Sequence, residues 1–252
     1  MDALIIAAGY GSRLSAISPS KPLTPVAGIP LVELGVRQAR AAGVERVVVV
    51  TGHAAEHVEA FLPGLACRAG VEIVAERVSD WSRPNGWSVM AGAARIDGDY
   101  LLMMTDHIFA APILARLARQ GSPLRGVTLA IDRRVDNPLV DPDDATWVDT
   151  DQAGLIRAIG KTLDRFDAVD CGAFLATPEL AGAIGQAIDA GRAGSLSDGM
   201  QILADRGRAA TMDIGADEAD SWWIDVDDPR ALAIAEVQAP QVLGHLYTRM
   251  SA

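Results

Sequence analysis

Strand-length apolar runs alternate with helix-length stretches through the first 131 residues, and this rhythm narrows the fold more than any other feature of the chain. Residues 3–7, 46–51, 71–75, 100–105 and 127–131 read as buried strands. Between them, residues 31–42, 54–62, 86–95 and 112–119 read as helices. Strand and helix alternating at this pitch require right-handed crossovers, so the expected class is α/β. It is a doubly wound, mostly parallel (mixed) Rossmann-like sheet in three α/β/α layers. Ligands of such sheets bind where strands deliver their carboxyl ends, which directs attention to the residues just after each strand.

The rhythm changes after residue 132. Residues 132–151 are acidic and proline-bearing and read as a loop or short antiparallel elements. A strand pair at 155–159 and 169–176 follows, then helices at 178–190 and 197–204, a strand at 209–213 and a helix at 229–237. No internal repeat or low-complexity linker separates the halves, so one compact domain is expected across residues 1–252. The residues after Val237 admit two readings, a dimer contact or a frayed tail.

With 50% apolar residues the chain has ample core, yet no run reaches the roughly 20 apolar residues of a membrane span. The opening MDALIIAAGYGSRL lacks the basic start and cleavage pattern of a signal peptide, so a cytoplasmic enzyme is expected. Formal charge is 22 − 33 = −11, which argues against nucleic acid as a main partner. Of the 22 basic residues only Lys21 and Lys161 are lysines. Lysine is a compact, flexible point charge where arginine is a planar fork, so these two positions draw attention as phosphate ligands. Cys67 and Cys171 show no disulfide or metal spacing and read as small core or near-core residues.

The loop after the first strand reads Gly9-Tyr10-Gly11-Ser12-Arg13-Leu14. A dinucleotide fingerprint would have a third glycine where Leu14 stands, and a Walker loop would close on Gly-Lys-Ser/Thr. What remains is a glycine pair that lets backbone amides approach an anion, a guanidinium at Arg13, and Lys21 between Pro19 and Pro22 on a rigid, non-helical segment. Two acidic sites suit a cation. Asp106 ends a buried strand, and Trp222-Trp223-Ile224-Asp225-Val226-Asp227-Asp228 runs into three acids. If that segment is extended, Asp225 and Asp227 share one side and Asp228 caps the helix opening at Pro229. The four histidines form no catalytic constellation.

The string LIIAAGYGSRL…SKPLTPVAGIPLVE resembles the signature of the nucleotidyltransferases that join an NTP to a phosphorylated sugar or alcohol. That resemblance implies a sheet of the GT-A-like type, with a nucleotide-binding half at 1–131, an acceptor-binding half at 132–237 and a tail at 238–252. It implies that Ala8, Gly9, Gly11 and Ser12 wrap the triphosphate while Arg13 and Lys21 neutralise it. Thr51 and Gly52 fall where the base or ribose is met. Asn85 and Ser88 either close over the nucleotide or serve as the cap and first turn of a helix. Asp106 and Asp225 map onto the family's metal aspartates, with Asp227 a helper, for Mg²⁺. Lys161 would contact the acceptor phosphate and the α-phosphate, with Asp170 and Gly172 beside it; His107 is either a substrate contact or a packing residue.

Together with Pro-Asn-Gly-Trp-Ser at 84–88, MTDHIF and WIDVDDP, the chain is most similar to the inositol-1-phosphate cytidylyltransferases, known as the front half of a two-domain enzyme. The resemblance implies CTP and inositol 1-phosphate as substrates and CDP-inositol and pyrophosphate as products. The acceptor's phosphate is its own ionised nucleophile, so no general base is needed. The chain ends at Ala252, so the product is expected to pass to a separate membrane CDP-alcohol phosphotransferase. Rival readings are a phosphocholine or sugar 1-phosphate acceptor, a glycosyltransferase with Asp225-Val226-Asp227 as its DxD motif, and a catalytically silent subunit. Trp81, Trp87, Trp222 and Trp223 are candidate walls of the acceptor pocket, with core packing expected for at least two.

Overall fold

A computed structural model describes residues 1–120, 126–216 and 221–247. In the first half the elements are β1 (Asp2–Ala7), β2 (Pro25–Val26), β3 (Ile29–Pro30), α1 (Leu31–Ala41), β4 (Arg46–Thr51), α2 (Ala55–Ala69), β5 (Glu72–Arg77), α3 (Asn85–Ala93), β6 (Tyr100–Met104), β7 (His107–Phe109), α4 (Ala111–Gln120) and β8 (Val127–Asp132). The second half holds β9 (Trp147–Thr150), β10 (Ile156–Gly160), β11 (Ala168–Ala176), α5 (Glu179–Asp189), α6 (Leu196–Ala204), β12 (Ala209–Asp213), β13 (Trp223–Asp225), α7 (Pro229–Val242) and α8 (Gly244–Tyr247).

Strands β6, β1, β4 and β5 lie parallel, each crossover passing through a helix. The central strands β6, β1 and β4 carry nearly continuous apolar runs because both sheet faces are covered there, while β5, at the sheet edge, is partly exposed and carries Glu72, Glu76 and Arg77. Along β1, Ala3, Ile5 and Ala7 enter one core while Leu4 and Ile6 enter the other. On the far side, β11 runs antiparallel to β6 and β8, and β12 is parallel to β8, so the sheet is mixed, as the sequence implied.

The second half departs from the sequence reading in one place that matters. The two strands expected to pair, β10 and β11, are not neighbours: β9 lies between them, antiparallel to both. Its four residues sit inside the acidic segment and carry too short a pattern to be read alone. Strand β11 makes room for them by bending. Its register slips between Asp170 and Phe174, so the edge that pairs with β6 beyond the slip pairs with β9 before it. Gly172, at φ 76°, is the pivot.

A third, smaller core fixes the site's loops. Leu14, in the place where a dinucleotide loop would want glycine, is fully buried among Leu31, Leu34, Ile108, Ile224, Val226 and apolar residues of α7 and α8. The last helix does not stop at 237. It runs to Val242, and Leu243 and Leu246 pack inward behind it, with the Tyr247 hydroxyl donating to the Val26 carbonyl at 3.2 Å. Up to Tyr247, therefore, the C-terminal residues are docked rather than frayed. Cys171 is buried as expected, while Cys67 is exposed. Among the described residues no helix is long and apolar enough to cross a membrane.

Candidate active site

Three chain segments meet at the carboxyl ends of β1 and β6. The first is the loop after β1, the second is Thr105-Asp106 between β6 and β7, and the third is the end of β13. The short antiparallel pairing of β7 with β13 sets Asp225 opposite His107, and the Val226 amide donates to the Asp106 carbonyl at 2.9 Å. Two acids more than a hundred residues apart in sequence are thereby fixed beside each other. Behind β13, the fully buried Asp132 carboxylate accepts from Trp223 Nε1 at 2.9 Å and from Arg134 Nε at 2.8 Å. Arg134 in turn donates to the Ser221 carbonyl at 2.7 Å, pinning the approach to the site.

Lys21 is not the loop lysine that the flanking prolines suggested. It opens a short 3-10 turn, Lys21–Leu23, and its side chain is only 8% exposed. Its ammonium bonds to both Asp106 and Asp227. Gly11, in the left-handed region at φ 62°, is what admits it, since a Cβ there would stand 2.5 Å from the Lys21 Cβ. Burial opposes charge on Lys21, but Asp106, Asp225 and Asp227 raise its pKa well above the ordinary value. Burial likewise opposes ionisation of Asp106, yet Lys21 and His107 hold its carboxyl far below the usual range. Arg13 reaches Asp227 at 2.7 Å and Asp144 at 3.1 Å.

Among the described residues, Asp106, His107 and Asp225 form a group able to hold a metal, each offering one ligand atom within 4.8 Å of the others. His107 Nδ1 lies 2.8 Å from Asp106 Oδ1. Burial would lower this imidazole, but Asp225 and Asp106 raise it to about 9, so without a metal it is protonated at neutral pH and holds the two carboxylates in place. Asp225 Oδ1 is buried with no hydrogen-bond partner. An orphaned carboxylate oxygen beside a second carboxylate fits a hard divalent cation. Asp227 lies outside this group among the described residues, and its oxygens bond to Lys21 and Arg13.

Two cavities adjoin here. One, of about 250 Å³, is lined by Ala8, Gly9, Gly11, Lys21, Ser88 and Trp81 among others. The other, of about 220 Å³, is lined by Arg13, His107, Lys161, Asp170, Gly172 and Asp225 among others. Asn85, Met104 and Asp227 line both. Lys161 is 63% exposed at its side chain and bonds to Asp144, a partner the sequence reading missed. Asp170 is pushed up to about 6 by burial, against the opposing hydrogen bond from the Gly172 amide.

Some expected residues fall outside both cavities. Thr51 is fully buried and its hydroxyl donates to Glu59 at 2.7 Å, so its side chain meets no base. Gly52 packs behind Trp81, and Ser12 is exposed at the start of a 3-10 turn. Asn85 has a structural task as well, accepting from the Leu196 amide at 2.8 Å and so tying α3 to the start of α6. Asp228 caps α7 as read from the sequence, accepting from the Ala231 amide at 2.7 Å. Of the four tryptophans named above, Trp223 lines the second cavity and Trp81 the first. Trp87 and Trp222 are engaged with the Ala193 carbonyl and Gln238.

The bifunctional IPC transferase and DIPP synthase of Rubrobacter xylanophilus is 33% identical over 239 residues, covering 94% of this chain and 51% of that protein. Its counterpart in Aquifex aeolicus is 27% identical over 230 residues, covering 90% and 49%. The chain thus spans about half the length of these relatives. The solved inositol-1-phosphate CTP transferase from T. maritima superposes with TM-score 0.84 at 21% identity, covering 100% of this chain and 98% of that one. UDP-glucose pyrophosphorylase complexed with UDP-glucose superposes with TM-score 0.78 at 17% identity, covering 95% and 98%. Both superpositions show a shared fold. The profile of the MobA-like NTP transferase domain matches residues 3–167, and with the glycine loop, buried lysine and paired aspartates it places this chain in the MobA-like NTP transferase family.

Proposed function

We propose that this chain transfers CMP from CTP to inositol 1-phosphate, giving CDP-inositol and pyrophosphate. The observation that carries the reading is the pair of adjoining cavities. One holds the glycine loop and Lys21, the other holds Arg13 and Lys161, and Asp227 stands between them. Lys21 receives the triphosphate and Lys161 the acceptor phosphate, while Arg13, on the acceptor cavity and paired with Asp227 between the two, neutralises the phosphates where they meet. A phosphate monoester is largely dianionic at neutral pH, so its oxygen attacks the α-phosphorus in line without a base while pyrophosphate leaves. Mg²⁺, which Asp106 and Asp225 would hold, supplies charge neutralisation at the α-phosphate when bound. His107 keeps those carboxylates oriented.

Polar groups on the acceptor cavity, among them Asp170, Thr146, Ser197 and Asn85, suit the hydroxyls of an inositol ring. A choline cage would need several exposed aromatic faces around a cation, whereas Trp223 and Phe174, the aromatic rings of Trp, Tyr or Phe on this wall among the described residues, are both packed into the core. The DxD reading fails to explain why Asp227 bonds to the lysine of the glycine loop. The relatives' names, IPC transferase and DIPP synthase, favour inositol phosphate over a sugar phosphate. The same reading puts the reaction in the cytoplasm and passes the product to a membrane CDP-alcohol phosphotransferase.

A matrix of pyrophosphate release tests it, with CTP, UTP, ATP and GTP against inositol 1-phosphate, phosphocholine and glucose 1-phosphate. The CTP and inositol 1-phosphate pair is expected to lead by roughly tenfold or more. Another leading pair replaces the substrates and keeps the reaction; silence across the matrix removes the reaction.

A further inference from the structure

The acidic segment between β8 and β9 has no part in the reaction above, yet it reaches the acceptor cavity, where Asp141 and Asp144 line the wall near Arg13 and Lys161. Asp144 is held in a turn, its amide donating to the Asp141 carbonyl at 3.2 Å. One carboxylate oxygen meets Arg13 Nη2 at 3.1 Å, and the other bonds to the Lys161 ammonium. Burial opposes charge on Asp144, but Lys161 and Arg13 hold its carboxyl below the usual range, so it is an anion at neutral pH. Arg13 arrives from the loop after β1 and Lys161 from the turn after β10, so this one carboxylate ties together cations from the two halves of the chain. Asp106 belongs to the group able to hold a metal; Asp144 does not. A carboxylate whose two oxygens each bond to a different cation reproduces the bite of two phosphate oxygens.

We propose that Asp144 is a specificity-determining residue of the acceptor cavity: its carboxylate holds the place of the acceptor's phosphate between Arg13 and Lys161 and is displaced by a phosphate dianion. A competitor tethered to the chain acts at an effective concentration of roughly millimolar or above. A neutral polyol or a monoanion gains too little from the two cations to displace it, whereas a dianion gains more from both. The inference rests on the acceptor being a phosphate monoester, and not on inositol.

Calorimetric titration of the full chain with inorganic phosphate tests it. Asp144→Asn is expected to bind phosphate roughly tenfold tighter than the parent, because no anion has to leave two charge-assisted contacts. Adding Lys161→Met to that variant should abolish the gain. Asp141→Asn removes the same charge, 3.9 Å from Arg13 and outside the Lys161 contact, and should stay within about twofold of the parent. Unchanged or weaker binding by Asp144→Asn overturns the proposal by showing that Asp144 merely holds the cations in position. An equal gain in Asp141→Asn overturns it by reducing the effect to bulk charge. Inorganic phosphate requires neither CTP nor inositol, so a failure in the turnover matrix and a failure here are separate results.

Discussion

Lys21 shows how far a residue's neighbours can change its meaning. The prolines around it suggested a lysine on a rigid, non-helical segment, and the resemblance gave it a triphosphate to neutralise. In the folded chain it is buried, and the ammonium is the counterion of Asp106 and Asp227. Replacing it by alanine leaves three closely spaced carboxylates without their cation. Lys21→Ala is therefore expected to lower turnover by about 10²-fold or more. Without Mg²⁺ it should also lose about 3 kcal/mol of unfolding free energy, as when one partner of a buried pair is removed. Saturating Mg²⁺ should return part of that stability by supplying charge at the same carboxylates. Denaturant titrations with and without Mg²⁺ check both statements; parental stability in the metal-free variant would return the ammonium to solvent.

Strand β11 decides where the acceptor side stands. Because its edge passes from β6 to β9 at Gly172, a gap opens that the His107 ring fills, and a Cβ at Gly172 would lie 2.5 Å from His107 Cδ2. Gly172→Ala must both adopt a left-handed backbone and push the ring away from Asp106 and Asp225. A loss of about 2 kcal/mol together with a clear fall in kcat is expected. Gly98→Ala is the control: its φ is 86° but nothing lies within 4 Å, so it should cost about 1 kcal/mol and leave kcat unchanged. Equal loss of kcat in both variants would separate the bend from the histidine. None of this was legible in the sequence, where Gly172 looked like the start of a strand. A bulge is a relation between strands, here β11 against β8, and the neighbouring β9 is only four residues long.

At the scale of the whole molecule, the buried acids Asp170 and Asp225 and the charged histidine leave a mark on stability against pH. Burial holds Asp170 and Asp225 up at about 6, so the native state binds protons that the unfolded chain releases near 4, and stability falls as pH rises through that interval. His107 is raised to about 9 by Asp225 and Asp106 despite burial. Its contribution is complete below its unfolded value of about 6.5 and is lost as pH climbs to 9. The metal-free protein should show two descending steps on either side of about pH 6.2, and His107→Gln should lack the upper one. A rise in unfolding free energy between pH 6.5 and 9 would mean a neutral His107 in the folded chain. The sequence by itself determined the α/β class, the mostly parallel mixed sheet and the glycine loop, and marked Asp106 and Asp225 as separate acids, which only the resemblance to the nucleotidyltransferases put together. Those features follow from local periodicity and from residues whose chemistry shows in short strings. Tertiary structure alone decided that Lys21 is buried among acids, that Asp227 bonds to Lys21 and Arg13, that the Thr51 side chain turns to Glu59, and that Asp144 bridges Arg13 and Lys161. Each of these is a contact between segments far apart in the chain, set by strand register and burial, which one-dimensional spacing does not encode.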